Sequence, residues 1–304
     1  MIASWFRRAA MALACVGAAA LLAACGSGSV VSDLTPKRFI SVGDGFADVG
    51  QNGHRYTVND GTPNWLQKLA AEYSLTLTAA TAGGFGYAQG HARVDSADTS
   101  SGTNAPSVKQ QVDAVLARTA LIDGDVVFLG GGISDIVAAV GASGISDATT
   151  QTVRAAGKSL AAQVRRVVQA GGTHVVITGV PNLGSTPWAR GRGQGDAIES
   201  LSNAFNDALK VDIADLGQNV LYFDAALFFN LIYNKPDAYP IDNITNPVCT
   251  TPDASTCTTS TLLPGADYNR YLFADSLYFT PAAQRLFVNG DQAENVLDRF
   301  KDRW

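Results

Sequence analysis

The chain is poor in the side chains that carry most acid–base, thiol and metal chemistry. Of 304 residues, three are histidine, four cysteine and two methionine. Four cysteines are too few for a disulfide-built scaffold. No His, Cys or carboxylate cluster has metal-ligand spacing, so no metal is expected, and nothing points to a cofactor. Only 16% of residues are charged and the formal net charge is −5. An acidic surplus excludes a phosphate-binding field, so no nucleic-acid partner is expected. The apolar run from Ala9 to Ala24 falls short of the about 20 residues that span a bilayer. The 30 glycines and 11 prolines follow no fixed period, which excludes collagen-like order. What is abundant is apolar material: 46% of the chain is hydrophobic, enough for a sizeable core and too much for disorder.

A basic start (Arg7, Arg8), an apolar middle and a small-residue exit describe a secretory signal over residues 1–24. The exit, Leu22-Ala23-Ala24-Cys25-Gly26, resembles the lipobox of bacterial lipoproteins. That resemblance implies that Cys25 becomes an acylated N-terminus, with the membrane as partner through several acyl chains, which hold far better than one. Gly26 rather than Asp after the cysteine implies sorting to the outer membrane, on its periplasmic or its surface face. A plain cleaved signal or a short uncleaved anchor is the alternative. Residues 25–37 read as a tether. Outside the signal and Cys25, only Cys249 and Cys257 remain, and in an oxidising compartment these two are expected to pair.

From residue 38 onward, strands and helices alternate. Phe39–Val42, Val126–Leu129, His174–Ile177 and Val220–Phe223 are short apolar strands. Between them lie helical stripes: one from Pro63 through Ala70, one over Val108–Leu116, one over Val153–Val168 and one over Ile198–Leu209. Thr280 and Pro281 open a last helix as N-cap and first-turn residue. Short unbroken apolar strands alternating with helices predict an α/β domain, a three-layer α/β/α sandwich around a mostly parallel sheet. No linker or repeat divides residues 38–304, so a single domain is expected, with a polar insertion at about 235–267. A monomer is expected.

Four stretches stand where such a sheet would present a site, past the carboxyl ends of its strands. Gly43-Asp44-Gly45-Phe46-Ala47-Asp48 follows the first strand and resembles the Gly-Asp-Ser-Leu-Ser-Asp block of the GDSL, or SGNH, esterases and lipases. Tyr87-Ala88-Gln89-Gly90-His91-Ala92-Arg93-Val94 resembles the family's second block, which supplies an oxyanion-hole glycine. Gly132-Ile133-Ser134-Asp135 stands where the family has Gly-x-Asn-Asp. Asp275-Ser276-Leu277-Tyr278 stands where it has Asp-x-x-His. The resemblance covers essentially residues 38–300. It implies a flavodoxin-like SGNH hydrolase sheet and, as ancestral activity, hydrolysis of carboxylic esters of lipids or acylated sugars.

The residues that would perform this hydrolysis are replaced. By the resemblance, the nucleophilic serine falls on Gly45, the general-base histidine on Tyr278 and the oxyanion asparagine on Ser134, while Asp275 and Gly90 keep the family's identity. A tyrosine of ordinary pKa near 10 does not act as imidazole does at neutral pH. Losing one oxyanion donor alone costs roughly 10²–10³ in rate. The expectation is therefore a degenerate hydrolase-like lipoprotein that acts as an envelope binding or structural protein. One alternative is an active esterase that uses other groups, pairing His91 with Ser134 and drawing on nearby Asp44 or Asp48. Another is a glycan-binding surface lipoprotein whose insertion carries the binding. His174 opens an apolar strand and reads as structural, and His54 as a solvated loop residue. The loss of the serine side chain at Gly45 and the bulk of Tyr278 are expected to compensate each other. Restoring Ser, His and Asn at 45, 278 and 134 is expected to create esterase activity if the pocket is intact.

Overall fold

The computed structural model describes residue 32 and residues 34–98, 101–288 and 295–304. The expected signal, Cys25 and most of the expected tether lie outside the described residues. The described chain runs β1 (Arg38–Val42), α1 (Trp65–Glu72), α2 (Val108–Arg118), β2 (Asp125–Leu129), α3 (Ile133–Ser143), α4 (Asp147–Gln169), β3 (His174–Thr178), α5 (Pro187–Arg190), α6 (Gly195–Ile213), β4 (Val220–Phe223), α7 (Ala225–Asn234), β5 (Asn243–Pro247), β6 (Tyr271–Phe273), α8 (Pro281–Leu286) and α9 (Val296–Arg303). Strands β1–β2–β3–β4 lie side by side in that order, every pair parallel. All four were legible as apolar runs, because a parallel strand covered on both faces has no polar side to show.

The alternation of side chains along each strand divides the core. On one face Phe39 and Phe128 meet edge to face, and they pack against Trp65 of α1 and Phe300 of α9. On the same face Phe223 packs against Phe228 of α7 and against Phe287, just past α8. On the other face α2, α3, α4 and α6 form the second helical layer, with α4 against α6 as its broadest contact. Gly157 makes that contact possible: a Cβ there would collide with the Phe205 carbonyl oxygen of α6. The expected three layers are present.

Helix starts follow local side-chain chemistry. Asn64 and Ser107 cap α1 and α2, each in a capping box with a glutamine three residues on (Gln67, Gln110). The sequence reading placed Pro63 inside the first helix. It lies outside, because the Asn64 side chain takes the Gln67 amide at 2.9 Å and fixes the start there. Thr280 caps α8 with Pro281 in its first turn, as expected.

One feature of β1 decides where a ligand can reach the sheet. On one side β1 pairs with β2. On its other side the segment 85–87 runs along it, with the Ser41 amide donating to the Phe85 carbonyl at 3.0 Å and the Tyr87 amide to the Ser41 carbonyl at 2.7 Å. The chain thus leaves β1 in one direction and returns to the sheet on the other. A crevice opens at such a reversal, beyond the carboxyl end of the strand, and here that point is Gly43–Gly45.

The polar stretch 235–267 is more ordered than a surface loop. Its strand β5 pairs in parallel with β6, and Val248, Ala254 and Cys257 are buried. Cys249 and Cys257 are joined by a disulfide, and Asn59 donates from its side chain to the Cys257 carbonyl at 3.1 Å. Replacing both cysteines by serine should lower unfolding free energy by about 2–3 kcal/mol, the chain-entropy value for so short a loop. Urea denaturation checks this, and a change below about 0.5 kcal/mol would show that packing alone holds the segment.

Candidate active site

All four sequence blocks converge with the insertion at the crevice. Gly45 follows β1, Ser134 lies in the first turn of α3, and Asp275 and Tyr278 follow β6. The second block, with Gly90 and His91, runs beside β1.

The position of the family's nucleophile is filled by aromatic rings. A Cβ on Gly45 would lie 2.8 Å from the Tyr278 ring and 2.8 Å from the Tyr56 ring. The two rings are in contact, with centroids 5.0 Å apart and planes tilted by 57°. Tyr56 also lies against Gly90, where any Cβ would overlap its ring. The Gly90 amide, the oxyanion donor implied by the resemblance, donates instead to Asp48 Oδ2 at 2.9 Å. Asp48 Oδ1 takes the amides of Gly50 and Gln51 at 2.8 and 3.0 Å. No developing negative charge can use a donor already committed to a buried carboxylate. The Tyr278 ring stands against Gly45, and Tyr56 is a second ring in the same space.

Tyr278 is buried, and that burial pushes its phenol well above its ordinary pKa. It stays protonated at neutral pH and cannot serve as a base. Asp275 keeps its place but has a different task from orienting an imidazole. Its Oδ1 takes the amides of Leu277 and Tyr278 at 2.8 and 2.7 Å, and its Oδ2 takes the Ala254 amide of the insertion at 2.8 Å. It therefore pins the insertion to the turn that carries Tyr278. Burial raises its pKa to about 6 against these three donors. Asp44 is likewise raised to about 6 by burial; Oδ1 takes the Phe46 amide at 3.1 Å, and the buried Oδ2 has no hydrogen-bond partner. Asp135, whose oxygens take the Val94 amide at 3.0 and 3.3 Å, is raised by burial to about 7.

The carboxylate that bonds to His91 is neither of the two expected, Asp44 or Asp48. Its Nε2 lies 2.8 Å from Asp253 Oδ2, on the insertion, and its ring meets Tyr56 edge to face. The Asp253 bond raises the His91 pKa against burial. Asp253 is opposed by its own burial, yet the bonds from His91 and Ser255 hold its carboxyl below the ordinary value. Neither Asp44 nor Asp48 bonds to His91: Asp44 Oδ1 takes the Phe46 amide, and the oxygens of Asp48 take the amides of Gly50, Gln51 and Gly90. His91 and Ser134 do line one cavity of about 110 Å³, together with Tyr278 and the apolar side chains of α3. His174 stands at the opposite end of the sheet, with its ring edge-on to Trp304. Among the described residues, no group of three His, Cys, Asp or Glu side chains is placed to hold a metal ion.

Three residues that shape the site escaped the sequence reading in these roles: Tyr56, Asp48 and Asp253. Asp48 stands within the first block and was noticed only as a neighbour of His91. Tyr56 and Asp253 lie in irregular segments, where no periodicity marks an inward side chain.

No family model matches the sequence, and no curated protein matches it. Solved structures similar to it include a member of the lipolytic protein G-D-S-L family from Veillonella parvula, at 13% identity over 82% of this chain and 92% of that one, with a TM-score of 0.47. A phospholipase A1 from Streptomyces albidoflavus is 17% identical over 81% of this chain and 94% of its own, with a TM-score of 0.41. An extracellular lipase from Streptomyces rimosus is 18% identical over 63% and 81%, with a TM-score of 0.40. These are similarities of fold.

Two outcomes follow from this packing. Gly45→Ser should destabilise the protein by about 1–3 kcal/mol through overpacking, and adding Tyr278→Ala should relieve part of that cost. Thermal or urea unfolding of the single and double variants checks this; a Gly45→Ser protein as stable as the parent would mean that the rings move aside freely. The carboxyls of Asp44, Asp135 and Asp275 have folded-state pKa values above the ordinary 3.8, so they add stability below that pH and lose it as pH rises through about 6 to 7. For Asp135 the rise to about 7 corresponds to roughly 4 kcal/mol. His91 acts in the same direction, and Asp253, whose pKa is lowered, acts only in more acidic solution. The thermal midpoint should therefore fall between about pH 4 and pH 8, and Asp135→Asn should flatten the fall. A midpoint that climbs over this range would contradict the burial of these groups.

Proposed function

We propose that this chain is a GDSL/SGNH hydrolase-like lipoprotein that has lost the family's acyl transfer and works by binding. In this reading it is anchored through Cys25 to the bacterial outer membrane and serves the envelope as a binding or structural protein for an ester, lipid or acylated glycan. The observation that carries the loss of activity is the state of Gly45. It has no side chain to attack with, and the volume a serine would need is occupied by Tyr278 and Tyr56. Acyl transfer at this point needs a nucleophile, a base within reach and free oxyanion donors. The nucleophile is absent, the phenol at the base position is held protonated, and the Gly90 amide is bound to Asp48. What remains is a crevice with a small cavity, a His–Asp pair and a serine hydroxyl.

A second reading is favoured by one specific observation. His91, backed by Asp253 at 2.8 Å, shares its cavity with Ser134. An imidazole oriented by a carboxylate beside a hydroxyl is the composition of an esterase site, whatever its ancestry.

Hydrolysis of p-nitrophenyl acetate and butyrate by the purified protein separates the two. The binding reading expects no turnover above the buffer rate. Turnover abolished by Ser134→Ala and by His91→Ala would establish the second reading and overturn the first.

A further inference from the structure

The cavity beside Ser134 is lined by a half-buried cation with one buried nitrogen that makes no hydrogen bond. Arg93 lines it, and its Nε is buried with no hydrogen-bond partner. Its ion-pair contact is Asp135 Oδ1 at 3.8 Å, beyond hydrogen-bond distance. Asp135 is itself engaged by the Val94 amide and is raised by burial to about 7, so it offers Arg93 only part of a negative charge in neutral solution. Asp98, the acid on the cavity wall, takes the Ser101 amide at 3.1 Å. A buried guanidinium nitrogen without an acceptor is costly, and such a group needs a partner. A guanidinium presents a planar fork that matches a carboxylate.

The rest of the wall limits what that carboxylate can be attached to. Ile133 and Val137 stand one turn apart on α3, as do Ser134 and Ala138, so the helix offers the cavity a narrow apolar strip with one hydroxyl at its start. These residues belong to the first turns of an eleven-residue helix, whose N-terminal dipole also favours an anion. The volume of about 110 Å³ leaves room for a short alkyl chain.

We infer that this cavity binds a short-chain monocarboxylate, its carboxylate on Arg93 and the Ser134 hydroxyl and its alkyl chain against Ile133, Val137 and Ala138. The inference rests on the reading that the site binds rather than turns over its ligand, and it adds a free acid to the ligands of that reading.

Isothermal titration of the full protein with butyrate tests it, with butyramide and inorganic phosphate as separate probes. Butyrate should bind with a dissociation constant on the order of millimolar, as suits so small a ligand, and butyramide about tenfold or more weaker. Arg93→Gln should weaken butyrate by about tenfold or more, the usual loss of a charge-assisted hydrogen bond. Val137→Phe, which keeps Arg93 and fills the cavity, should abolish binding in a folded protein. Unchanged butyrate binding in either variant would overturn the inference, as would the absence of saturable binding by tens of millimolar. Phosphate binding in preference to butyrate would overturn the alkyl carboxylate as the ligand class. Turnover of p-nitrophenyl butyrate bears on the proposed function instead, so the two failures are told apart by which experiment gives them.

Discussion

The contact on which the site depends is the packing of two tyrosine rings over two glycines. Tyr278 and Tyr56 meet above Gly45, and Tyr56 continues across Gly90. Interiors close to crystal density leave no room to add a side chain at either glycine without moving a ring. The consequences run outward from there. With Tyr278 buried, Asp275 is free of any imidazole and spends its oxygens on three backbone amides, one of them from the insertion. With the insertion drawn in, Asp253 reaches His91. The Gly90 amide, covered by Tyr56, is satisfied by Asp48 rather than by solvent or ligand. Each of these polar groups finds its partners inside the protein.

The burial of carboxylates follows from the same closure. Asp44, Asp48, Asp135 and Asp275 are all buried near the crevice, and burial is the leading cause of the raised pKa of each. Backbone amides from the adjoining turns partly offset that cost. In an open catalytic cleft such groups would titrate to serve chemistry. Here Asp48 and Asp275 each bind amides from separate segments, and their first task is to hold loops together.

The strands were legible because a buried parallel strand is an unbroken apolar run, as in Val126–Leu129 and His174–Ile177. The helix caps were legible at Thr280 and misplaced at Pro63, where a proline signal lay one residue from the asparagine that does the capping. The positions of Gly45, Ser134, Asp275 and Tyr278 were legible through the resemblance of the stretches that hold them to the motif blocks of the GDSL/SGNH family. The partner of His91 was not. Asp253 is 162 residues away in sequence, on a segment of little periodicity that the disulfide, the Asn59 side chain and the Asp275 bond hold in place. Tyr56 was not legible either, since a tyrosine in a polar loop gives no sign that its ring lies on Gly45 and Gly90. Restoration of Ser, His and Asn, which looked sufficient from the sequence, therefore leaves one ring in the way.

Fluorophosphonate labelling of two restored proteins, read by intact mass, tests the central claim most directly. One carries Gly45→Ser, Ser134→Asn and Tyr278→His; the other adds Tyr56→Ala. If Tyr56 occupies the site, the triple variant stays unlabelled and the quadruple variant takes up one phosphonate at position 45. Labelling of the triple variant with Tyr56 in place, or a folded quadruple variant that stays unlabelled, would contradict the account.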